Sequence, residues 1–108
     1  MSFPIMSYPP LNYFTDKEGI EKYSNPKMVQ KRAKEYGVFV VFSPRKNKKY
    51  RIVNPETNKY VDFGFFGMAD YTHHLDEHRR NLFRVRNHKW KDAPKYSPAH
   101  LSWCLLWT

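Results

Sequence analysis

Three short apolar runs decide the fold: Val38-Phe39-Val40-Val41-Phe42, then Tyr50-Arg51-Ile52-Val53, then Lys59-Tyr60-Val61-Asp62-Phe63. The first is a continuous run of β-branched and aromatic residues, the signature of a buried strand. The second alternates, and the third follows the turn-forming Pro55-Glu56-Thr57-Asn58. Strands joined by such short connections pair as an antiparallel meander.

Helices are expected on either side of this sheet. Asn25-Pro26 is a cap followed by proline at the first helical position, and the segment runs to about Tyr36 before stopping at Gly37. A second helix is expected from the cap Asp70 or Thr72 to about Asn87. Tyr71, Leu75, His78, Leu82 and Val85 would form one packed stripe on it. Ser97-Pro98 opens a short last helix, Ala99 to Trp107. The predicted class is α+β: a three-stranded antiparallel sheet packed by two helices, with a short C-terminal helix. Residues 1–24 are expected as an extended proline and aromatic arm, and residues 25–108 as the single domain. In the arm, Phe3, Ile5, Tyr8, Leu11, Tyr13 and Phe14 are candidate docking anchors, because Pro4, Pro9 and Pro10 prevent regular pairing.

Charge is concentrated. The chain carries a net charge of +9. Between Asn25 and Arg51 the basic residues face only Glu35, and between Arg79 and Lys95 only Asp92. This pattern suits an acidic or anionic partner. The candidate contacts are Arg45, Lys46, Lys48, Lys49, Arg51, Arg79, Arg80, Arg84 and Arg86, with Tyr50 able to stack on a base. Lysine and arginine on a hairpin edge also deter sheet aggregation, and can pair with an acidic protein. Aromatics make up 18% of the chain, which excludes a disordered basic tail.

Three motifs point toward chemistry, and each has a simpler reading. His74-Leu75-Asp76-Glu77-His78 has the spacing of one zinc peptidase class. That class needs a downstream carboxylate ligand and a far longer chain, and after Glu77 the only acidic residue is Asp92, so no metal is expected. Asp62-Phe63-Gly64 matches the kinase magnesium motif without any other kinase element. Cys104 lies four residues from His100, but reads as a small buried apolar residue. A lone cysteine excludes an internal disulfide, and no apolar run reaches the ~20 residues of a membrane span. Neither a signal peptide nor a cofactor or small-molecule substrate is indicated. The chain reads as soluble and non-enzymatic.

From about Tyr50 to Trp107 the sequence resembles a small uncharacterised family of large nucleocytoplasmic DNA viruses, including giant and algal viruses. The resemblance lies in Val61-Asp62-Phe63-Gly64, Gly67, Asp70-Tyr71-Thr72, His74, Arg79-Arg80, Arg86, His88, Trp90 and the closing Trp103-Cys104-Leu105-Leu106-Trp107. Asn87 opens the family's Arg-His step, and the proline-rich first half has no counterpart. The resemblance carries no activity. It implies a viral origin and a place in the particle, the protein being made in the cytoplasm of the infected cell. The leading expectation is a minor capsid or cement-type component touching other capsid or virion proteins. The alternative is a basic, largely sequence-independent binder of viral DNA.

Overall fold

The computed structural model describes residues 17–108. The candidate anchors Phe3 to Phe14 lie outside the described residues. Helix α1 is Pro26–Tyr36. The Asn25 side chain accepts a bond from the Met28 amide, and Gly37 ends the helix at φ 93°, a left-handed conformation that glycine adopts without a steric cost. The helix buries Val29 and Ala33, four residues apart on one face.

The sheet has the order β1 (Val40–Phe42), β2 (Lys48–Val53), β3 (Tyr60–Phe65), all antiparallel. Phe42 pairs with Tyr50, and Tyr50 with Phe63, so three rings form a row across one face at centroid spacings of 6.0 and 5.8 Å. Val40, Ile52 and Val61 form the next row. Opposite directions of the pleat put Arg51 and Asp62 together on the other face. At Gly64, φ is 81°, and a Cβ would lie 3.0 Å from Leu106. The backbone passes too close to the C-terminal segment for any other residue to fit without movement.

Residues 17–24 also belong to the folded unit, which therefore reaches back into the stretch expected as an arm. Ile20 and Ser24 are buried. The Lys17 ammonium donates to the carbonyls of Ser43 and Arg45, at 2.9 and 2.8 Å, and pins this stretch to the β1–β2 turn.

The expected second helix is two helices. Helix α2 (Tyr71–His74) is capped by Asp70 and stops at Leu75, where φ is 54°. Asp76 then caps α3 (Glu77–Arg86), accepting from the His78 and Arg79 amides. A left-handed residue cannot continue a right-handed helix, so the helical phase is reset at Leu75. The predicted packed stripe is lost as a result. Leu75, Leu82 and Val85 are exposed, at 56%, 44% and 79%, and α3 buries no residue completely. Instead Phe83 turns inward and stacks on Trp107, with centroids 3.9 Å apart and planes 3° from parallel.

Ser97 caps α4 (Pro98–Leu101), which widens into a π-helical turn over Ser102–Leu106. Leu101, Leu105 and Leu106 are buried against the sheet and α1, each worth about 1.5–3 kcal/mol. Arg32 of α1 donates to the Leu105 carbonyl at 3.2 Å, meeting one acceptor at the end of this turn. No helix among the described residues is long and apolar enough to cross a membrane.

Candidate functional site

Lys49, expected on the surface, is 2% exposed. Its ammonium lies 2.9 Å from Asp70 and also donates to the carbonyls of Met68 (2.6 Å) and Tyr23 (3.2 Å). All three ammonium protons are thereby used. A directional chain ends on the same carboxylate. Tyr50 donates to Ser24 (2.7 Å), Ser24 to Thr72 (3.1 Å), and Thr72 to Asp70. The Asn25 amide adds a bond to Thr72 at 2.9 Å. One buried network thus ties β2 to the starts of α1 and α2. Burial draws the Lys49 pKa below the usual lysine range, opposed by Asp70. Burial likewise raises the Tyr50 pKa and holds its hydroxyl protonated. Neither Lys49 nor Tyr50 can reach a phosphate or a base, which corrects the sequence reading of both.

Several other predicted contacts have internal partners. Arg51 grips Asp62 through two bonds of 2.7 and 3.1 Å and lies over the Tyr60 ring at 4.3 Å. Arg45 approaches the same carboxylate at 3.9 Å while remaining exposed. Arg80 pairs with Glu77 at 3.0 Å and lies over Tyr71. Arg84 lies over Trp103 at 4.5 Å. Lys46, Arg79 and Arg86 are exposed. Asp62-Phe63-Gly64 is accounted for by the fold: an ion pair, a core ring and a close backbone approach.

The Asp62 pair has a consequence for acid stability. Burial disfavours the Asp62 charge, but the Arg51 bonds and charge, aided by Arg45, outweigh it and hold the carboxyl below its ordinary range. A lowered folded pKa means the unfolded chain takes up the proton first. The pair's contribution is complete above the unfolded value, about pH 4, and is lost as pH falls through the folded value. Melting temperature should drop below about pH 4, and Asp62→Asn should flatten that drop. Parallel melting curves for the two proteins would refute the assignment.

A cavity of about 350 Å³ lies between β3, α3 and the C-terminal segment. Its walls include Phe65, Met68, Phe83, Trp90, Leu106 and Trp107, with Lys48 beside them and the Lys49–Asp70 pair in the floor. The two basic regions of the sequence therefore meet here: Lys48 belongs to the first, and Phe83 and Trp90 to the second. Sequence reasoning missed this site, because its walls come from residues 48 to 107 and no local spacing marks it. The exposed lip residues Phe65 and Met68, bracketing Gly67, were its only local signal.

The two histidines of the zinc-like motif do not converge. His74 accepts a bond from the Asp76 amide through Nδ1 and packs 5.4 Å from Trp107, while His78 is exposed on the next helix. Burial lowers the His74 pKa and keeps the ring neutral. No cluster of three or more metal-ligating side chains occurs among the described residues. Cys104 and His100 do meet, with Sγ 3.4 Å from Nε2. His100 Nδ1 donates to the Trp90 carbonyl at 3.0 Å, which leaves Nε2 to accept from the thiol. This has the outline of a nucleophile and its base. Burial, however, raises the Cys104 pKa, and neither residue lines the cavity.

No curated protein and no solved structure matches the chain. A family model does match, over residues 38–91, which carry the whole sheet, the Lys49–Asp70 pair and α3. That match spans half of the 108-residue chain, and the protein belongs to this family of unknown function, DUF5754.

Proposed function

We propose that the protein is a non-enzymatic structural component of a large DNA virus particle, acting through contacts with other virion proteins. The observation that carries the contact reading is α3. Its apolar residues Leu82 and Val85, with Leu75 just before it, face solvent, while Arg79 and Arg86 are exposed on the same helix. An apolar stripe bordered by cations suits a partner surface that is apolar at its centre and acidic at its edge. The internal pairing of Lys49, Arg51, Arg80 and Arg84 weighs against a surface built to track phosphates. The placement in a particle rests on the viral resemblance of residues 50 to 107.

The test is location. Purified particles stripped stepwise should release the chain with shell proteins. Release with the genome, or absence from particles, would contradict the proposal. Leu82→Glu with Val85→Glu should block incorporation while changing the stability of the free protein by no more than about 0.5 kcal/mol per site, because both positions are exposed.

A further inference from the structure

We infer that the cavity is a docking pocket for a bulky apolar side chain carried on an acidic segment of a protein partner. The inference rests on the proposal that this chain works through protein contacts, and it names a second contact point distinct from the α3 stripe.

Three observations lead to this occupant. First, the walls are mostly apolar, and the charged pair among them is already satisfied. Lys49 and Asp70 bond to each other and to neighbours in the fold, and Ser102 is buried. The pocket therefore offers little to read a polar head group, whereas an aliphatic or aromatic side chain loses nothing on entering it. Second, Phe65 and Met68 at the lip are 57% and 56% exposed. Large apolar groups held at the mouth of an apolar cavity are covered when a partner arrives, and methionine adapts to the shape of what it covers. Third, Lys48 is half-buried in the wall and makes no ion pair among the described residues, unlike its neighbour Lys49. Lys89 and Lys91 are exposed on either side of the lining residue Trp90. Among the lining residues Lys49 and Asp70 cancel and Lys48 is left, so the complementary segment is acidic.

A nucleobase fits less well. Stacking needs open ring faces, and Phe83 and Trp107 each have one face covered by the other, while Trp90 meets Phe83 edge-on at 78°. The flexible Met68 and the aliphatic Leu106 beside these rings suit leucine, methionine or phenylalanine.

The experiment is selection of a random 12-residue peptide library on the immobilised full-length protein. Enriched peptides should pair a large apolar residue with nearby Asp or Glu, and a synthetic representative should perturb the tryptophan fluorescence. Ala99→Trp, which fills the cavity, should weaken that peptide at least about tenfold, as should Lys48→Glu. Lys48→Glu lies at a half-buried strand position and keeps the test valid if the cavity-filling variant does not fold. Leu82→Glu should leave peptide affinity unchanged. No acidic–apolar enrichment, or enriched peptides indifferent to both cavity variants, would overturn the inference. So would an oligothymidylate that binds with the same sensitivity to Ala99→Trp while the peptides do not. Failure of selection alongside normal particle incorporation would sink the cavity alone. Selective peptide binding by a chain missing from particles would sink the particle placement and spare the cavity.

Discussion

Lys49→Met lowers the unfolding free energy by about 3–5 kcal/mol in urea titration, the largest loss expected from any change within the basic stretch. Removing the ammonium leaves Asp70 1% exposed with its charge uncompensated, and strips a donor from the carbonyls of Met68 and Tyr23. The fold cannot relax around the loss, because the same carboxylate holds Thr72 and caps α2. Lys46→Met is the control, since Lys46 is exposed and its loss should change stability by no more than about 0.5 kcal/mol. Combining Lys49→Met with Asp70→Asn should recover part of the loss, since the amide removes the buried charge while its oxygen still accepts from the Thr72 amide and hydroxyl. A cost below about 1 kcal/mol for Lys49→Met would show that the pair is not a buried junction.

Trp107→Ala should cost a further about 3–5 kcal/mol, with an effect that spreads to a remote element. Trp107 is 7% exposed and lies flat on Phe83. Helix α3 has no fully buried residue of its own, so this stack is its principal hold on the core. Truncation opens the cavity and frees α3 together. Amide hydrogen exchange over Glu77–Arg86 should accelerate more than exchange in β2, which is anchored by Tyr50 and Ile52. Uniform acceleration across both elements would mean that α3 is held by something other than Trp107.

Much of the fold was legible because it is written in local chemistry. The boundaries of α1 follow from Asn25, Pro26 and Gly37, and the meander from three strand-forming runs separated by turn residues. The start of the last helix follows from Ser97-Pro98. The failures lie where a long-range partner decides. Lys49 sits among Lys46, Lys48 and Arg51 and looks solvated, yet Asp70, twenty-one residues away, draws it inside. Tyr50 looked free to stack, but it is the central ring of the row across the sheet. The spacing of Leu75, Leu82 and Val85 is helical, but spacing does not reveal which side of a helix meets the core. The signal for a break was available in Asp76-Glu77, a second cap and acidic first turn inside the expected helix. The charge pattern predicted an anion-facing surface; the structure places half of those side chains against carboxylates and rings of the same chain.

On the proposed function these cations serve the fold and protein contacts, with few left for phosphate. The direct measurement is DNA affinity as a function of salt, on the full chain with both duplex and single-stranded oligonucleotides. Each phosphate neutralised on a duplex adds about −0.9 to the slope of log K against log salt. Weak binding with a slope shallower than about −3 is expected. A slope near −8, the value for about nine phosphates, would contradict it.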